Sequence, residues 1–97
     1  MASNFTIRHC LQKGVLHLKL GGDFDGCSAY ELNHCLQNAL KKDRRVIVHT
    51  DKLAKLPAFG REMFQKQFGS DPQSARQVVF TGNYAHEIAP DGYAMRE

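Results

Sequence analysis

Two carboxylates flank one phenylalanine at Asp23-Phe24-Asp25, between the pair Gly21-Gly22 and Gly26. Oxygen ligands this close could hold a magnesium ion. A hard cation normally recruits further carboxylates or a phosphate, and none is evident nearby. The plainer reading is a turn whose aspartates cap local backbone N–H groups. Cys27, His34 and Cys35 raise zinc or thiol chemistry. His34 and Cys35 are neighbours on a helix, about 100° apart, so they share a metal poorly. His17 and His49 fall in strands and could meet across a sheet, but a Cys-His enzyme needs a third orienting group and an oxyanion site. The expectation is a chain with no catalytic residue, no cofactor and no metal ligand set.

A second stretch, Leu53 to Phe68, runs from a loop into a helix directly after the apolar strand Arg45–Thr50. Its loop, Leu56-Pro57-Ala58-Phe59-Gly60-Arg61, carries no nucleophile, acid or general base. Such a loop works by shape, and Phe59 and Arg61 are residue types that anchor protein interfaces. A competing reading uses spacing alone. Phe59, Met63, Phe64 and Phe68 form an apolar helical stripe, which predicts Phe59 as the first core residue of that helix and Gly60 as a close-packing position.

These residues are placed by a regular series of elements. Residues 5–10 and 15–20 alternate as strands, with Lys13-Gly14 as the turn between them. Residues 21–26 form a loop. Ser28 and Glu31 have capping-box spacing and open a helix whose apolar face is Leu32, Cys35, Leu36, Ala39 and Leu40. That helix ends in Lys41–Arg45, where cations suit its negative end. Val46-Ile47-Val48 predicts a central strand covered on both sides. Pro57 suits the first turn of the second helix, and Gly69-Ser70-Asp71-Pro72 stops it. Residues 77–81 form the last strand and Tyr84–Ala89 a short helix, halted by Pro90-Asp91-Gly92. The order is β-β-α-β-α-β-α. It predicts an α/β domain with a mixed sheet and helices packed on it, ordered over about residues 4–89, with a mobile tail at 90–97.

The composition sets the frame. Ninety-seven residues make one domain. A net charge of +3 is too mild to imply nucleic acid, and the Lys41–Arg45 run lacks interleaved aromatics, so it is a solvated helix end. Three cysteines without CxxC spacing fit a reducing, cytoplasmic setting rather than a disulfide framework. No stretch reaches the roughly 20 apolar residues of a membrane span, and residues 1–10 lack a secretory pattern.

The order and loops together resemble a STAS domain, the family of bacterial anti-sigma-factor antagonists and of regulatory domains on sulfate-type transporters. The resemblance spans about residues 4–89. It is carried by Leu20-Gly21-Gly22-Asp23-Phe24-Asp25 leading into Ala29-Tyr30-Glu31-Leu32, and by Val46-Ile47-Val48 followed by Leu56-Pro57-Ala58-Phe59-Gly60. In the family, a partner kinase phosphorylates a serine or threonine in the second loop, and the added charge breaks docking. Here the family's Asp falls at Pro57, its Ser at Ala58 and its Gly at Gly60, so Ala58 offers no phosphoryl acceptor.

The resemblance implies a non-enzymatic regulator of signal transduction and transcription in the bacterial cytoplasm, docking on an anti-sigma-like kinase. Asp23, Asp25, Leu56, Pro57, Ala58, Phe59, Gly60 and Arg61 would carry the contact. The alternatives are an accessory subunit of a membrane transporter or its ATPase, and a small nucleotide binder or enzyme using Asp23, Asp25 and Cys27. Ser28 and Thr50 are the remaining hydroxyls near this surface, with Ser28 expected to be a helix cap.

Overall fold

The computed structural model describes residues 4–68 and 76–96, and the expected helix stop Gly69-Ser70-Asp71-Pro72 lies outside them. Lys13 and Gly14 both take positive φ, 52° and 79°, as a two-residue hairpin turn requires. They join β1 (Thr6–Gln12) to β2 (Val15–Asp23) in antiparallel register, with Gln12 opposite Val15 and Ile7 opposite Leu20. Next come α1 (Gly26–Lys41), β3 (Arg45–Lys55), α2 (Ala58–Phe68), β4 (Val78–Thr81), α3 (Ala85–Ile88) and β5 (Ala94–Arg96). Strands β2 to β5 pair in parallel, and the sheet order is β1-β2-β3-β4-β5. The expected α/β class and mixed sheet are what the chain adopts.

Parallel neighbours joined by right-handed crossovers, always stepping the same way, place every crossover helix on one face. Burial follows that rule. Leu18, Leu20, Val46, Val48, Val78 and Phe80 are at most 1% exposed, in one core with Leu32, Leu36, Phe64, Phe68 and Ile88. Each such side chain stabilises the fold by about 1.5–3 kcal/mol on burial. The alternate residues Val15, His17, Ile47, His49 and Val79 are only half-buried. The expectation that Val46–Val48 is covered on both sides is therefore corrected, because none of the described helices lies over the outer face.

Two further corrections concern the ends of elements. The chain is structured beyond Ala89. Pro90 and Tyr93 are buried, and Ala94–Arg96 adds a fifth strand, with Ala94 opposite Val79. Tyr93 holds this segment, packing its ring 5.4 Å from Phe68 and 5.9 Å from Phe80 and donating its hydroxyl to the Phe68 carbonyl at 3.3 Å. Helix α1 begins at Gly26 with Asp25 as its N-cap, three residues before the expected cap Ser28. Asp25 wins because its carboxylate reaches the third N–H of the helix, leaving Ser28 inside the first turn.

Candidate docking site

The loop after β2 is fixed from three sides. The Phe24 N–H donates to the Lys55 carbonyl at 3.0 Å, tying the ends of β2 and β3 together. The Phe24 ring is fully buried, edge-on to Phe5 at 5.7 Å and to Phe64 at 6.0 Å. Asp25 Oδ1 accepts from the Ser28 N–H at 2.9 Å and lies 2.8 Å from the Ser28 hydroxyl, which shares its single proton with the Asp23 carbonyl at 3.0 Å. These bonds, the Ser28 backbone N–H foremost and its hydroxyl next, hold the Asp25 carboxyl below its usual range. The Asp23 N–H donates to Asn4 Oδ1 at 3.0 Å. Asp25 therefore caps a helix, and the described residues contain no cluster of three metal-ligating side chains.

Gly60 welds this loop to the second one. It is buried in the first turn of α2, and a Cβ there would overlap the Phe24 carbonyl oxygen and sit 2.9 Å from the Asp25 carbonyl carbon and oxygen. Only glycine lets the two backbones approach so closely. Gly26 plays a milder version of the same part. A Cβ on it would come 3.0 Å from Phe59 Cε2 and 3.5 Å from Met63 Sδ, so the Phe59 ring lies over bare backbone.

Phe59 is 68% exposed, which corrects its assignment to the core. With Gly60 turned inward, α2 buries Gly60, Phe64 and Phe68 at i, i+4 and i+8. Phe59 is then about 100° off that line and faces out. Pro57, Ala58 and Cys27 are also exposed, and Tyr30 stands 66% exposed one turn beyond Cys27. A shallow cleft of about 530 Å³ runs along Phe59, Glu62, Met63, Gln65 and Lys66. Arg61 is half-buried, with Nη2 3.9 Å from Glu62 Oε2, a loose surface pair of about 0–1 kcal/mol. Leu56 packs its half-buried side chain on the core.

The structure thus brings the Phe24 and Asp25 backbone against Gly60, leaves Asp23 at the end of β2 beside Asn4, and sets Pro57, Ala58 and Phe59 on the adjoining surface. Sequence reasoning placed the Asp23–Gly26 loop beside that surface but did not find Tyr30 and Met63 as its neighbours. The visible signal was Gly26 at a helix start, where its missing side chain makes room for a ring.

The other candidate chemistry resolves into structure. Cys35 Sγ lies 3.9 Å from His9 Nε2, but burial, and then Glu31, raise its thiol pKa, the opposite of an activated nucleophile. His17 and His49 do meet across the sheet, rings stacked at 5.2 Å with Nδ1 2.9 Å from Nε2. Ser28 and Thr50 are at most 1% exposed. Thr50 Oγ1 donates to the Thr81 carbonyl at 2.9 Å and accepts from the Tyr84 N–H at 3.0 Å.

A one-sided helical layer on a sheet that opens with an antiparallel hairpin, with a glycine-welded loop pair at the helix starts, defines a STAS-like, SpoIIAA-like fold. Two solved structures carry this finding. The anti-sigma factor antagonist SpoIIAA in its unphosphorylated form aligns with a TM-score of 0.64 at 11% identity, over 96% of this chain and 87% of that one. An uncharacterized protein of the DUF3478 family with a SpoIIAA-like fold, from Shewanella loihica PV-4, aligns with a TM-score of 0.62 at 16% identity, over 100% of this chain and 91% of that one. No protein-family model matches the sequence, and no curated protein matches it. Among the described residues, no helix is long and apolar enough to cross a membrane.

Proposed function

We propose that this chain is a protein-docking regulator of the anti-sigma-factor-antagonist type. It meets its partner through Phe59, with Pro57, Ala58 and Arg61 beside it and the Asp23–Gly26 loop beneath. The observation that carries this reading is the 68% exposure of Phe59 on a rigid platform. Placing a large apolar ring in water is unfavourable unless something covers it, and the platform holds the ring ready at little entropic cost. The fold of the unphosphorylated SpoIIAA structure supports the same reading. Ala58, exposed at the start of α2, has no hydroxyl, so docking here is constitutive or set by abundance. The partner in this reading is an anti-sigma-like kinase.

Phe59→Asp tests the site, because Phe59 is exposed and its replacement changes folding stability by no more than about 0.5 kcal/mol. Tagged wild-type chain should capture a kinase-like or sigma-regulating protein from host lysate. Phe59→Asp should bind it at least roughly 30-fold more weakly, the loss of about 2 kcal/mol typical of an interface anchor. Equal binding by the variant would refute the site. Recovery of a membrane transporter component instead would refute the class.

A further inference from the structure

On the face of the sheet opposite the described helices, we infer a binding cleft for a phosphate monoester, formed where Arg8, Lys19 and Lys52 converge around Gly21. The cleft begins with an irregular register. Lys19 pairs with His49 but Gly21 pairs with Lys52, so β3 advances three residues where β2 advances two. This β-bulge re-aims the following side chain. Lys52 is thereby brought into phase with His49 on the outer face, instead of alternating toward the core. Arg8 is directly opposite Lys19 across the β1–β2 pair, and Thr6 opposite Gly21.

Three cations from three adjacent strands thus surround a residue without a side chain. A Cβ on Gly21 would lie 3.0 Å from Thr6 Oγ1 and 3.8 Å from Lys52 Cβ, filling the space they enclose. The resulting cleft has a volume of about 420 Å³ and is lined by Thr6, Arg8, Lys19, Leu20, Gly21 and Lys52. A second cleft of about 250 Å³ shares Lys19, Leu20 and Lys52 with it and is bounded by His49 and Asp51.

The charges here are unbalanced. No side chain of Arg8, Lys19 or Lys52 makes an ion pair or hydrogen bond among the described residues, where Arg61 and Glu62 form the ion pair. Like charges directly opposite across strands are destabilising, so an arrangement of this kind calls for a counter-anion. No carboxylate among the described residues lines the main cleft; Asp51 borders only the smaller one, and its Oδ1 accepts from the Asn83 N–H at 3.2 Å. The guanidinium fork of Arg8 suits two phosphate oxygens, the lysines act as point charges, and the Thr6 hydroxyl can donate once more. The main cleft exceeds the size of a phosphate group alone. The organic part of an ester fits the adjoining cleft beside His49. Exposed Phe59 and Tyr30 do not line it, so it lacks the stacking rings that single-stranded nucleic acids use.

The test follows backbone amide shifts during titration with inorganic phosphate and glycerol 3-phosphate, against chloride at matched ionic strength. Thr6, Lys19, Gly21 and Lys52 should shift and saturate, with the ester binding more tightly than phosphate. Arg8→Gln with Lys52→Gln should weaken binding at least tenfold, and Gly21→Val, which fills the cleft, should abolish it. Lys42→Gln, outside the cleft, should change nothing. A parallel sedimentation with phosphatidylcholine vesicles, with and without phosphatidylinositol 4-phosphate, identifies the source of the phosphate. Binding only to the phosphoinositide vesicles, lost in the same variants, would support the cleft and place its ligand on a lipid. Shifts no larger than those with chloride, together with no vesicle binding, would overturn the proposal. So would binding that survives in the double variant.

Discussion

Gly60→Ala pits two physical effects of opposite sign against each other. Alanine is the better helix former by about 1 kcal/mol, so helix propensity alone forecasts a more stable protein. The structure forecasts the reverse. The new Cβ would overlap the Phe24 carbonyl oxygen and crowd the Asp25 carbonyl, and both obstacles are backbone. Backbone held by a buried ring and a helix cap cannot swing aside as a flexible side chain would. Overpacking of this kind costs about 1–3 kcal/mol or more. Because Gly60 sits in the first turn, the propensity gain is smaller than in a helix interior, and the net loss is about 1–2 kcal/mol. In a domain with about 5–15 kcal/mol of total stability this is a large fraction. At about 4–8 °C per kcal/mol for a domain of this size, the melting temperature should fall by roughly 5–15 °C. Urea unfolding followed by circular dichroism should show a lower midpoint with an unchanged slope. Gly26→Ala is the matched control, since its Cβ meets side chains and no backbone, the edge of the exposed Phe59 ring at 3.0 Å and Met63 Sδ at an ordinary 3.5 Å, and should shift stability by less than about 0.5 kcal/mol. A Gly60→Ala protein that melts higher than wild type would refute the backbone weld.

Asp25→Ala should cost about 1 kcal/mol as the cap of α1 is lost, with Asp25→Asn retaining most of it; equal urea midpoints for Asp25→Ala and wild type would remove the cap from the account. The pH dependence should have two acid limbs. His49 is held below its ordinary 6.5, first by burial and then by His17 and Lys19, with Asp51 pulling the other way. The unfolded chain therefore takes up that proton first, so stability should fall as pH drops below about 6.5 toward the folded value. Asp25, held below 3.8, adds stability above that pH that is lost on further acidification. Urea midpoints that stay level between pH 7 and pH 5, or a drop undiminished in His49→Asn, would contradict the His49 limb.

Where one strong local signal governed an element, it was legible in sequence. Lys13-Gly14, the alternation of Val15–Leu20 and the apolar stripe of α1 all fall as expected. Elements dictated by distant contacts were not. β2 continues through Gly21-Gly22, and β3 runs to Lys55 across bulges that scramble its alternation, so neither extension carries a strand-like pattern. β5 is three residues held in place through Tyr93, and no local periodicity can announce that. At the candidate site, the pairing of the two loops was anticipated from their order. The outward face of Phe59 was not, because four apolar residues fit one helical stripe equally well until Gly60 decides which way α2 is rolled.

The strand order also bears on how the chain comes into being. Each strand pairs with the one made just before it, and no pairing spans more than a single connecting segment. Loop closure is cheap at every step, which favours rapid folding for a mixed sheet. The hairpin, α1 and β3 can assemble while the remainder is still being synthesised, and each later βα unit adds to an edge already in place. The most C-terminal strand, β5, closes the far side last, so the final addition to the sheet coincides with the seating of Tyr93 on Phe68 and Phe80.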